Sequence, residues 1–188
     1  HFCFVEDFDY NSNKGRISVY KITPSGYETL GIVLEEDFHL SFPFIYEYEN
    51  EIYMCPETRE KKEIRVYKCV DFPTKWEFHK TLVKDVSAVD NIIFKRNDKW
   101  WLLTNIDQSF NSSNDSQLHI FSANNPLSDE WVAHENNPVI TDPLVARNGG
   151  LILSNNEVYR VFQRQGFDMY GEGSGIARIT AISSNEYS

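Results

Sequence analysis

A pattern of strand, tight polar turn, strand, charged loop and third strand occupies Ser41 to Lys68, SFPFIYEYENEIYMCPETREKKEIRVYK, and it returns twice downstream. From Val89 it reads VDNIIFKRNDKWWLLTN, followed after a polar insertion by QLHIFSA at 117–123. From Arg147 it reads RNGGLILSNNEVYRVFQ, followed by GIARITA at 175–181. HFCFVED at 1–7 matches IYMCPET at 52–58, and RISVYKI at 16–22 matches EIRVYKC at 63–69, so a further copy is expected to be under way where the segment begins. Repeats of about fifty residues, each holding several short strands, are the mark of β-propeller blades. The segments expected are a first blade in part (1–37), then blades at 38–86, 87–142 and 143–188. A propeller closes into a ring to remove its sheet edges, so about three and a half blades predict a piece of a larger propeller, completed by further blades or domains.

Alternation of apolar and polar residues, rich in β-branched types such as Ile17, Val19 and Ile22, supports strands throughout. The nearest helical candidate, 56–64, is short and polar. In the first copy the expected strand ends at Val5 and is followed by a loop, EDFDYNSNKG. Hairpin tips are expected at Asn50-Glu51, Asn97-Asp98 and Ser154-Asn155-Asn156, where short polar residues tolerate turn conformations. Trp100, Trp101, Tyr53 and Tyr159 recur in the second strand of each copy and read as core, whereas Phe110 and Tyr170, in long loops, are candidates to stack on a sugar ring.

Charge and composition narrow the chemistry. A formal net charge of -10 offers no electrostatic footprint for phosphate backbones, so nucleic acid is not an expected partner. No run of 18 apolar residues occurs, so no membrane segment is expected in this stretch. Cys3, Cys55 and Cys69 show no CxxC spacing and are expected as buried free thiols. Free thiols favour a reducing, cytoplasmic location, or a secretory one should a signal precede the segment. The histidines lack metal-ligand spacing, and GEGSG at 171–175 lacks the lysine and the strand-to-helix context of a phosphate loop. No metal or cofactor is therefore expected.

In a blade the start of the innermost strand and the end of the second share one rim. That rim is predicted to carry His39, Ser41, Glu57 and Arg59 from the second copy, with Asp90, Asn105 and Asp107 from the third. The fourth gives Arg147, Asn148 and Gln163, and the first gives Glu6. Polar residues converging from several strand ends form the kind of concave site that binds a ligand, although strand ends also cap their own backbone. Two carboxylates stand out. Asp90 interrupts an otherwise apolar stretch, SAVDNIIF, which is costly unless the charge is paired or used. Glu57, two residues before Arg59, stands where charge-assisted hydrogen bonds are expected. Asp90 and Glu57 are the candidate catalytic groups; Glu6, His39, Arg59, Asn105, Arg147, Asn148 and Gln163 are the candidate sugar-binding groups.

The stretches FPFIYEYENEIYMCPET, SAVDNIIFKRNDKWWLLTN, LHIFSANNPL and NNPVITDPLVARNGG resemble the five-bladed β-propeller of the glycoside hydrolase family 43 and 32 type. More closely, they look like the propeller domain of plant glucosamine inositolphosphorylceramide transferases and of bacterial formyltransferase-like proteins of surface-polysaccharide synthesis. The resemblance implies a carbohydrate partner and an Asp base in the first blade, expected upstream of His1. It also implies an Asp that tunes the acid, near Asp90, and a Glu acid in the fourth blade. At that last position this chain reads Asn148-Gly149-Gly150 where Glu-Gly-Pro is expected. Inverting hydrolysis needs a protonated carboxyl and a basic one roughly 6.5 to 9.5 Å apart, and an amide cannot donate that proton. The expected function is glycan recognition within surface-polysaccharide or glycolipid assembly. The alternative is a hydrolase or transglycosylase whose acid is displaced to Glu57 or Glu172.

Overall fold

A computed structural model describes residues 1–106, 116–166, 169 and 171–188. Among them the regular structure is β, with one 3-10 turn at Arg59–Lys61. The chain divides into two compact units, His1–Val86 and Ser87–Ser188. The first holds a three-stranded sheet, β1 (Phe2–Asp9), β2 (Lys14–Thr23) and β3 (Gly26–Leu34), and a four-stranded one, β4 (Ser41–Tyr48), β5 (Glu51–Glu57), β6 (Glu63–Asp71) and β7 (Lys75–Lys84). The second holds β8 (Ala88–Arg96), β9 (Lys99–Ile106), β10 (Leu118–Ala123) and β11 (Val132–Ala133), then β12 (Asn148–Ser154), β13 (Glu157–Arg164) and β14 (Gly173–Arg178). Every pairing is antiparallel between strands consecutive in sequence, the meander that a propeller blade requires.

Two backbone devices recur in the last three sheets. Their first hairpins turn on pairs with left-handed φ: Glu49 and Asn50 (51° and 60°), Asn97 and Asp98 (53° and 59°), Asn155 and Asn156 (50° and 62°). Positive φ at both central residues gives the turn whose twist matches the flanking strands. The first tip therefore lies one residue earlier than Asn50-Glu51, because Glu51 is already paired with Tyr48. At the other end, each first strand begins with a bulge. Ser41 faces Glu57 and Phe44 faces Cys55; Val89 faces Asn105 and Ile92 faces Leu103; Asn148 faces Phe162 and Gly150 faces Val161. In each case the first strand holds one residue more than its partner, and a left-handed residue sits in the bulge: Phe42 (44°), Asp90 (53°) and Gly150 (140°). A bulge re-aims the side chains that precede the regular ladder.

Packing follows the alternation. In the first unit Ile17, Val19, Leu40, Met54 and Tyr67 are fully buried in one cluster, and Trp76 closes it with its indole N–H donated to Pro73 O at 2.9 Å. In the second, β8 and β9 are buried over nearly their whole length. Trp100, Trp101 and Tyr53 are core, while Tyr159 is half-buried. Two expectations need correction. The first strand does not stop at Val5 but pairs with β2 as far as Asp9, because the ladder from Phe2↔Lys21 to Asp9↔Lys14 is unbroken. Of the three free thiols, Cys55 and Cys69 are buried but Cys3 is exposed; β1 is an edge strand of its sheet, whereas β5 lies between two neighbours.

Gly15 joins the two sheets of the first unit. Its N–H donates to His39 Nδ1 at 2.9 Å and its carbonyl accepts from Leu40 N at 2.9 Å. A Cβ there would meet Leu40 O at 2.3 Å and His39 Cε1 at 2.8 Å. Gly15→Ala is therefore expected to destabilise by about 1–3 kcal/mol in urea unfolding.

Burial pushes the Tyr46 and Tyr67 phenols and the Cys55 thiol well above their ordinary ranges. The unfolded chain ionises these groups first, so their stabilising effect is complete below the ordinary thiol and phenol values and is lost as pH rises beyond them. Melting temperature should accordingly fall from about pH 9 upward, faster beyond about pH 10. Thermal melts between those values and pH 11 measure it.

Candidate functional site

The bulge at the start of β8 places Asp90 in the left-handed region with its side chain turned inward, only 4% exposed. One residue ahead of β12, Arg147 donates from Nε to Asp90 Oδ2 at 2.7 Å, its side chain 10% exposed. Two opposite charges this far from water persist only when their neighbours leave few polar atoms unmet. Those neighbours are amides. Asn148 donates both amide protons to backbone carbonyls, Asp90 O at 2.9 Å and Leu103 O at 3.2 Å. Asn105 likewise donates to Ala146 O at 2.9 Å and Gln117 O at 3.0 Å, while its Oδ1 accepts Asn148 N–H at 2.8 Å. Gln163 Nε2 donates to Asn148 O at 2.8 Å. The segment that delivers Arg147 is pinned upstream as well: the Asn137 side chain exchanges two 2.8 Å hydrogen bonds with the backbone of Ile120.

Sequence reasoning missed Arg160. It is buried in β13 and reaches back under the start of β12, donating to Ala146 O at 3.1 Å, Asn148 Oδ1 at 3.4 Å and Val145 O. Burial lowers its guanidinium from the ordinary value, opposed by the Tyr187 phenol. Its Nε has no hydrogen-bond partner among the described residues. The cue was an arginine in step with Val158, at an inward position of an alternating strand.

The structure thus brings together five residues singled out from sequence: Asp90, Asn105, Arg147, Asn148 and Gln163. It also reassigns two of them. Asn105 and Asn148 are fully buried with both amide protons held by carbonyls, so they position the site instead of presenting amides to a sugar. In the first unit Glu6 and His39 meet, with His39 Nε2 3.5 Å from Glu6 Oε1. Glu57 ends β5, half-buried opposite Ser41. Arg59 stands on the exposed 3-10 turn, and no ion pair joins it to Glu57, because the turn carries its side chain outward. Asp107, Phe110 and Tyr170 lie outside the described residues. Among the described residues, no group of three or more His, Cys, Asp and Glu could hold a metal ion, and no helix is long and apolar enough to cross a membrane.

Antiparallel meanders with polar residues at bulged strand starts define an all-β protein of the β-propeller type, and solved structures agree. A thermostable family-43 glycoside hydrolase superposes with a TM-score of 0.71 at 11% identity, covering 97% of this chain and 69% of that one. An α-L-arabinanase of Cellvibrio cellulosa, solved with arabinohexaose, gives 0.69 at 14% identity, covering 99% and 72%. At such identities the likeness establishes the fold alone. The sequence identifies the family: residues 1–188 match the family described as Glucosamine inositolphosphorylceramide transferase 1, N-terminal, and the chain belongs to it. The chain is 35% identical over 191 residues to Glucosamine inositolphosphorylceramide transferase 1 of Oryza sativa subsp. japonica. It is 34% identical to the protein of the same name from Arabidopsis thaliana. Both matches cover 99% of this chain but 25% of the relative, so the chain spans about a quarter of their length.

Because Asn148 Nδ2 faces two carbonyl oxygens in a dry site, a carboxylate would set one oxygen against both of them, and the 3.4 Å contact from Arg160 reaches only the other oxygen. Asn148→Glu should lower stability by ~3 kcal/mol or more in urea unfolding, with Asn148→Asp close behind.

Proposed function

We propose that this chain is the glycan-recognition propeller of a glycolipid-assembling glycosyltransferase, binding a sugar-bearing partner through the rim that Asp90 and Arg147 underlie. The observation that carries the reading is the Asp90–Arg147 pair itself: a charged couple held at 2.7 Å in a left-handed bulge, at the strand ends where the fold gathers its polar residues. Non-glycine residues in that conformation are costly and concentrate at functional positions. Membership of the family, and a fold used by enzymes that act on arabinan and related glycans, support carbohydrate as the ligand class.

Recognition is favoured over hydrolysis by the state of Asn148. It stands where the resemblance puts the proton donor, yet it is an amide, and its protons are held by Asp90 O and Leu103 O. Hydrolysis through that position would need a carboxyl group where Asp90 O and Leu103 O accept amide protons.

Arg147→Lys tests the proposal with little disturbance, since it keeps the charge and removes the planar fork. Losing a charge-assisted hydrogen bond corresponds to about 1.5–3 kcal/mol. Glycan affinity, measured by calorimetry on the intact protein, should drop at least tenfold while the melting temperature changes by a few degrees. Unchanged affinity in a folded Arg147→Lys variant would sink the reading.

A further inference from the structure

We propose that the hairpin tip between β1 and β2 is a second carbohydrate subsite, with the Phe8 and Tyr10 rings as its stacking face and Glu6 as its hydroxyl acceptor. The proposal deepens the glycan-binding reading and rests on it. Tyr10 is 88% exposed and Phe8 36%. Their rings meet edge to face, centroids 5.2 Å apart at 73°, and Phe8 also lies 6.1 Å from the His39 ring. Two neighbouring aromatics left open to water at one tip forgo burial that a ligand would supply.

The tip is ordered before any ligand arrives. Asp9 Oδ1 accepts the Asn11 N–H at 3.0 Å, Asp9 Oδ2 accepts the Ser12 hydroxyl at 2.8 Å, and Asn13 takes a left-handed φ of 55°. A ring presented on a fixed turn binds without the cost of ordering a loop. Behind the rings, His39 Nδ1 accepts the Gly15 N–H, which leaves the ring proton on Nε2, facing Glu6 Oε1. The imidazole thereby orients a carboxylate whose side chain is still 40% exposed.

An aromatic step beside an oriented carboxylate matches a pyranose: the C–H face stacks on the rings while hydroxyls donate to the acid. Charge selects among sugars. Lys14 and Arg16 face Asp9 and Asp7 across the ladder, and Arg16 pairs with Asp7 at 3.4 Å, so Glu6 remains as the acid beside the rings; on a chain of net charge -10 it disfavours acidic or phosphorylated sugars and admits neutral or amino sugars.

Saturation-transfer NMR on the intact protein with the methyl glycosides of glucose, glucosamine and glucuronic acid tests this. The first two should receive saturation at their ring protons and the glucuronide should not. Tyr10→Ala should weaken binding several-fold to about tenfold, and Tyr10→Phe, which keeps the ring, should not. Equal binding by wild type and Tyr10→Ala, or preferred binding of the glucuronide, would overturn the subsite. If Arg147→Lys weakens binding and Tyr10→Ala does not, the subsite alone fails; if the wild type binds no glycoside or larger glycan, the glycan-binding reading fails with it.

Discussion

A charge pair withdrawn from water is the constraint around which the second unit is arranged. Asp90, in β8, and Arg147, one residue ahead of β12, are 57 positions apart in sequence and meet at 2.7 Å with little exposure. Removing either charge from such a pair typically costs about 3–5 kcal/mol, because the survivor is stranded. What makes the pair tolerable is that the backbone leaving it is held on every side: Asn148 to Asp90 and Leu103, Asn105 to Ala146, Gln163 to Asn148, and Arg160 beneath. The inner strands β8 and β12 are thus fastened together by side-chain amides where a sheet ladder does not run.

Bulges make that fastening possible. A regular strand alternates its side chains between faces, so it cannot pack core residues along its length and also gather polar ones at its start. One extra residue at the start of β4, β8 and β12 breaks the alternation where the polar residues begin. The opposite ends of these hairpins turn on tight left-handed pairs that fix the register, so the bulge is absorbed at the rim and not at the tip.

In the first unit the same economy of space is achieved by the absence of a side chain. Gly15 lets β2 touch Leu40 and His39 at distances no Cβ allows, and in doing so it sets the tautomer of His39 and the direction of Glu6. Polar residues at the strand ends of both units are therefore oriented by backbone groups: Gly15 N–H for one, the carbonyls of Ala146, Leu103 and Asp90 for the other.

Sequence alone determined the strand meander, its repeat, the Asn-rich tips and the need of Asp90 for a partner, since alternation, turn residues and a lone acid in an apolar run are local signals. It placed Asp90, Asn105, Arg147, Asn148 and Gln163 at strand ends for the same reason. Only the tertiary structure decided which of these face outward. Asn105 and Asn148 read as ligand-binding amides, yet both are buried cross-links; Arg160 was not among the candidates, yet it donates to the backbone that carries Arg147; Glu57 and Arg59 read as neighbours in a charge-assisted contact, yet Arg59 opens an exposed 3-10 turn. An amide's hydrogen bonds belong to whichever acceptors the fold brings within about 3 Å, and those lie more than forty residues away for Asn148, beyond the reach of any local pattern.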